Sequence, residues 1–121
     1  MITLRIVTYA RVSTAEQVAM GTSLEDQRTR LRAAVLARAG EHIGHFEDAG
    51  VSGSLARRPG LDALRQEVLK GGVDLAIATK IDRVSRSALG LLNLVEELRG
   101  HGCHLVLIDE GLDTSTPAGD L

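Results

Sequence analysis

Apolar and polar positions along this chain switch repeatedly between two periods, and each switch marks an element. Leu4-Arg-Ile-Val-Thr-Tyr9 is a β-branched run that reads as a first strand. From Ser23 the spacing becomes helical, with Leu24, Gln27, Leu31, Ala34, Val35 and Ala39 recurring on one face. Ser23 suits the N-cap, Asp26 three residues later echoes a capping box, and Gly40 supplies the stop. Residues 42–47 form a weaker second strand, followed by the turn-rich stretch from Asp48 to Arg58. Pro59 fits a first helical position, Leu61, Leu64, Val68 and Leu69 follow with helical period, and Gly71-Gly72 ends that helix.

Asp74-Leu-Ala-Ile-Ala-Thr79 is apolar nearly throughout, as a strand covered on both faces would be. A third helix is predicted from about Ser87 to Arg99, with Leu91, Leu94, Val95 and Leu98 inward and Gly100 beyond its end. His104-Leu-Val-Leu-Ile-Asp109 is the fourth strand, and the tail from Gly111 to Gly119 reads as loop. This alternation predicts one α/β domain: an open, mostly parallel sheet of four or five strands with helices on both faces.

Composition narrows the class without naming a chemistry. The chain has 121 residues, 44% hydrophobic and 25% charged, which fits one globular domain and neither a disordered tail nor a fibre. One cysteine, Cys103, leaves no internal disulfide to form and suits a small core residue. No apolar run approaches the roughly 18 residues of a membrane span, and the amino end is too short and polar for a signal peptide. The expectation is a soluble, cytoplasmic domain with no membrane partner.

Charge adds two imbalances. The 14 basic residues are 12 Arg and 2 Lys. A GC-rich coding sequence produces that bias, and so does a need for planar, permanently charged forks that grip phosphate. Residues 1–38 carry six basic and three acidic groups (+3), residues 39–60 two and three (−1), and residues 61–121 six and ten (−4). These sum to the net −2 of the whole chain, short of the basic surplus of a self-sufficient nucleic-acid binder. Any role on DNA is therefore local chemistry, with affinity supplied elsewhere.

Ligands of open parallel sheets bind beyond the carboxyl ends of the strands. The residues falling there are Tyr9, Arg11 and Ser13 after strand one and Asp48 after strand two. Strand three delivers Lys80, Asp82 and Arg83, and strand four Asp109 and Glu110. Tyr9, Arg11 and Ser13 are two apart and share a side while the chain stays extended. Arg83 and Arg86 share a face if the third helix reaches back to them. With Arg58 added, a hydroxyl and up to four guanidiniums converge on one rim: a phosphate site containing a nucleophile. Taken singly, each residue has a plainer reading as a turn serine, a solvated arginine or a turn aspartate. His42, His45, His101 and His104 are scattered, His42 and His45 are expected on opposite faces of a strand, and no zinc spacing is completed. No metal site or cofactor is expected. Gly50-Val-Ser-Gly-Ser lacks the Gly-Lys ending of a P-loop.

Together these segments resemble a known family. Tyr9-Ala-Arg-Val-Ser13-Thr, then Glu16-Gln17 and Ser23-Leu-Glu-Asp-Gln27, are similar to the opening of the serine recombinases, which include resolvases, invertases and large serine integrases. So are Asp48-Ala-Gly-Val-Ser-Gly, Arg58-Pro-Gly-Leu-Asp62, Lys80-Ile-Asp82-Arg83-Val-Ser-Arg86 and Asp113-Thr-Ser-Thr-Pro-Ala-Gly119. The blocks cover nearly the whole chain in order, and the spacing after Ser13 is closest to the large integrases.

The resemblance implies that Ser13 is the nucleophile, with Arg11, Arg58, Arg83 and Arg86 around the scissile phosphate. Tyr9, Gln17, Gln27, Asp48, Lys80 and Asp82 would support them. Arg57 adjoins Arg58, but the Arg-Pro-Gly-Leu register favours Arg58. Arg11 is expected to help activate Ser13, and Asp82 to hold the arginines. Double-stranded DNA is the implied partner, with residues 1–121 as the catalytic domain. The family pattern continues into a long helix building dimers and tetramers and then into DNA-binding domains. The alternatives are a non-catalytic assembly module of the same fold, a phosphate-binding flavodoxin-like domain and a metal-dependent nuclease.

Overall fold

The computed structural model describes residues 3–13, 24–49 and 58–116. The expected Ser23 cap, Gln17 and Arg57 lie outside them. Strand β1 (Arg5–Val12) leads to helix α1 (Leu24–Ala37), β2 (Glu41–Ala49), α2 (Pro59–Leu69) and β3 (Leu75–Ala78). A one-turn helix α3 (Ile81–Val84) precedes α4 (Ala88–Arg99), β4 (His104–Leu107) and β5 (Leu112–Asp113). The sheet order is β2-β1-β3-β4-β5, with β5 alone antiparallel.

That order follows from connection lengths and burial. Parallel neighbours need a crossover, and α1 and α2 supply two of them. The path from β1 to β2 runs one way across the sheet, whereas β3 sits on the other side of β1. The carboxyl ends of β1 and β3 therefore flank a topological switch point, where open α/β sheets form their ligand crevice.

Alternation along β1 divides the core. Ile6 and Ala10 face α1, packing with Leu31, Val35, Leu75, Ile77 and Val106. Val7 and Tyr9 face the other layer, built on Leu64, Val68, Leu91, Val95 and Leu98 of α2 and α4. The bidentate pair of Arg65 with Glu97, 2.6 Å on both arms, joins those two helices and holds the Glu97 carboxyl below its usual range. Cys103 is wholly buried, and burial pushes its thiol up to about 12.

The structure corrects several sequence expectations. The left-handed residue ending α1 is Ala39, at φ 53°, rather than Gly40. Gly40 is needed for space instead, because a Cβ there would lie 2.3 Å from the Ile6 side chain. The tail read as loop contains β5, which pairs with Val106 and Leu107. Leu94, expected inward with its neighbours, is only partly buried. Arg83 and Arg86 do not share the third helix. Arg83 belongs to α3, and Arg86 lies in the bend before Ser87, the N-cap of α4.

His42 and His45 share one face instead of opposite ones. The register of β1 against β2 slips between Ile6 and Val7, so Ile6 pairs with His42 and Val7 with Gly44. That extra residue brings both rings onto the buried Thr8 hydroxyl, 2.7 Å from His42 Nε2 and 2.7 Å from His45 Nδ1. The other ring nitrogen of His45 donates to Glu47 at 2.6 Å, and Glu47 also takes the Arg28 guanidinium of α1.

This bulge predicts a pH response. Burial, reinforced by His45 and Arg32, lowers the His42 pKa below its usual value. Below pH ~6.5 the unfolded chain gains a proton at this site that the folded chain resists, so stability falls as the pH drops. Urea midpoints at pH 7.5 and 5.5 should show that loss, and His42→Gln should reduce it.

Candidate functional site

The site grows from the last residues of β1. Arg11 is buried, and its own backbone is claimed by α1: its N–H donates to Gln27 Oε1 at 3.2 Å, and Gln27 Nε2 donates to its carbonyl at 3.0 Å. One buried amide thus satisfies both polar groups of a strand end that β3 does not reach. The Arg11 side chain then crosses the switch point, and Nη2 donates to the main-chain carbonyl of Asp82 at 2.8 Å.

Asp82 and Arg83 belong to α3, the single turn following β3. Arg83 is 1% exposed, an extreme burial for a side chain that keeps its charge. Arg58, at the N-cap of α2, donates from Nη1 to the Arg83 carbonyl at 3.3 Å. Two guanidiniums from different parts of the chain therefore rest on consecutive carbonyls of one turn. Arg86 follows on the exposed bend, and half-buried Lys80 occupies the N-cap of α3.

An open cleft of about 370 Å³ is lined by Arg11, Ser13, Asp82, Arg83 and Arg86. Ser13 immediately follows β1, so the serine and three arginines share one concavity above the switch point. Arg58 reaches its edge through Arg83. On the rim after β4, Arg30 of α1 pairs with Asp109 and holds its carboxyl below the usual range, aided by Lys80 and Arg83. Such a surface suits an anion with several oxygens, because each fork offers paired N–H donors. Among the described residues, no group of three or more His, Cys, Asp or Glu is placed to hold a metal ion.

Tyr9 and Asp48 lie one layer below. The Tyr9 hydroxyl donates to Asp48 Oδ2 at 2.6 Å, and the N–H groups of Gly60 and Leu61 donate to Asp48 at 2.7 and 3.0 Å. Asp48 thereby caps α2 from a neighbouring strand, in place of Arg58, whose side chain makes no cap bond. Gly60 is required for this approach, since a Cβ there would lie 2.3 Å from the Glu47 carbonyl. Burial, and then the Asp48 carboxylate, raise the Tyr9 pKa far above the phenol range, which keeps the proton on the phenol as the donor to Asp48. The sequence placed Asp48 at the end of strand two, as a turn residue or by resemblance a supporting one, and nothing in its spacing showed the cap.

Asp48→Ala leaves a buried phenol and two helix N–H groups without their acceptor. It should cost about 1–3 kcal/mol of stability. Thermal or urea unfolding checks this, and Asp48→Asn, which keeps one carbonyl acceptor, should lose less.

The arrangement has counterparts among known proteins. The family model "Resolvase, N terminal domain" matches residues 6–121. A DNA-invertase of Escherichia phage P1 is 38% identical over 114 residues, covering 94% of this chain and 54% of that protein. The chain spans about half the length of the phage P1 and Salmonella typhimurium invertases and of the Tn3 resolvase, and 22% of a "Putative DNA recombinase" of Bacillus subtilis. The N-terminal catalytic domain of TP901-1 integrase superposes with a TM-score of 0.83 at 28% identity, over 95% of this chain and 85% of that one. A resolvase family site-specific recombinase from Streptococcus pneumoniae gives 0.82 at 31% identity, over 94% and 78%. A sheet with its crevice between β1 and β3, a serine and arginines gathered there, and a family match along nearly its entire length show that this chain belongs to the resolvase N-terminal domain family of serine recombinases.

Proposed function

We propose that this chain is the catalytic unit of a site-specific DNA recombinase in which Ser13 is the nucleophile. The observation that carries the reading is the single cleft shared by Ser13, Arg11, Arg83 and Arg86. The Ser13 oxygen attacks the phosphorus in line, forming an Oγ–P bond while the bond to the sugar 3′ oxygen breaks. The serine proton leaves, the 3′ oxygen gains one, and the product is a phosphoserine ester with a free 3′-hydroxyl. Attack by a 3′-hydroxyl of the exchanged strand reverses the step. The ester conserves the bond energy, so rejoining needs no high-energy cofactor.

Phosphodiester hydrolysis is very slow, and a catalyst must remove ~20 kcal/mol of barrier. Charge builds on the phosphate oxygens, and preorganised donors there contribute roughly 3–4 kcal/mol each. In this reading Arg11, Arg58, Arg83 and Arg86 supply them. Arg11 lies beside Ser13 in the cleft and also helps stabilise the serine oxygen as its proton departs. Asp82 orients Arg11 through its main-chain carbonyl, and Gln27 and Tyr9–Asp48 hold the strand ends beneath.

Double-stranded DNA is the proposed substrate, because the relatives are DNA-invertases and a transposon resolvase. The net charge of −2 assigns most DNA affinity to other parts of the protein. Assembly into dimers and tetramers belongs to this proposal, and so do the DNA-binding domains, for which the greater length of the relatives leaves room.

Two substitutions test the reading in the intact protein, incubated with duplex DNA cut from the regions flanking its own coding sequence. Ser13→Ala should still bind DNA, but mass spectrometry should find no nucleotide on the peptide containing residue 13. Adduct or cleavage in that variant refutes the assignment. Arg83→Lys keeps the charge but loses the fork, so adduct formation should slow by about 100-fold. A near-normal rate would remove the guanidinium argument.

A further inference from the structure

We propose that Glu110 is a positioning residue for this reaction, acting from the turn after β4 through the main chain of α3; this rests on the recombinase reading above. Glu110 is exposed, lines no part of the cleft and would pass for an ordinary surface carboxylate. Its Oε1, however, accepts the N–H of Ile81, the first residue of α3, at 2.8 Å.

That single turn holds much of the site. The Asp82 carbonyl receives Arg11, the Arg83 carbonyl receives Arg58, and Asp82 and Arg83 line the cleft beside Ser13. A four-residue helix has almost no internal hydrogen bonding with which to hold itself. Its N-cap, Lys80, offers no side-chain bond, and its C-terminal end closes through Ser85 N–H to the Ile81 carbonyl. Ile81 is thus fixed at both its N–H and its carbonyl, and among the described residues Glu110 is the side chain that holds the N–H end. The carboxylate is delivered by backbone that is itself anchored, since Asp109 N–H donates to the Thr79 carbonyl at 2.7 Å.

Loss of that acceptor lets the turn rotate or fray, which moves two carbonyls and therefore two guanidiniums. Displacement of catalytic groups by about 1 Å can cost up to about 100-fold in rate. An exposed anchor should cost less, on the order of tenfold. The contact needs an oxygen acceptor at that reach and does not need the negative charge, so glutamine can replace glutamate.

The test compares Glu110→Ala and Glu110→Gln with the unaltered intact protein, on duplex DNA flanking its coding region. The readouts are the rate of Ser13–DNA adduct formation, the DNA dissociation constant and the melting temperature. Expected are an adduct rate about tenfold lower in Glu110→Ala with unchanged DNA affinity, and recovery to near the unaltered rate in Glu110→Gln. An unaltered rate in Glu110→Ala overturns the proposal. So does a rate in Glu110→Gln as low as that of the alanine variant, because the charge and not the acceptor would then matter. Adduct persisting in Ser13→Ala, run alongside, overturns the recombinase reading itself instead.

Discussion

Guanidiniums that cannot lose their protons repel one another, and two like charges ~8 Å apart do so by about 2 kcal/mol at an effective dielectric of ~20. Gathering Arg11, Arg83 and Arg86 in one cleft with Ser13, and Arg58 against Arg83, therefore requires acceptors that hold the forks. The protein uses main-chain carbonyls for two of them, those of Asp82 and Arg83 on one helical turn. Peptide oxygens carry no net charge to compete with an incoming anion. They also cannot change rotamer, so the forks inherit the rigidity of the turn.

That solution transfers the demand for precision to the scaffold. Ser13 and Arg11 stand at the end of a central strand that Gln27 finishes off from α1, while α3 follows the neighbouring strand. The buried Tyr9–Asp48 pair then sets where α2 begins, and with it where Arg58 stands. Helix starts, strand ends and a buried phenol are thus parts of one positioning device. Its components come from opposite faces of the sheet, so neither core layer alone could align the cleft.

The edge of the sheet shows the same economy with different chemistry. A bulge in β2 turns two histidines onto one threonine, and the outer ring continues through Glu47 to Arg28. A polar chain of this kind ties α1 to an edge strand that has few apolar residues with which to pack.

How much of this was legible beforehand varies by level. Strand and helix order, the sheet class and the inward faces of the helices follow from hydrophobic period, because burial of one stripe or face is a local requirement that composition must satisfy. The candidate site was legible as a set of residue types at strand ends, with Tyr9, Arg11, Ser13, Arg58, Arg83 and Arg86 named by position and family resemblance. The α3 turn was not, since four residues are too few to show a period. The shared face of His42 and His45 was hidden because one bulged residue reverses every side chain beyond it. The cap by Asp48 and the contact of Glu110 with Ile81 join residues 12 and 29 positions apart through backbone N–H groups. Side-chain identity records what a residue can donate or accept. Only the packed sheet decides which distant backbone group stands opposite it.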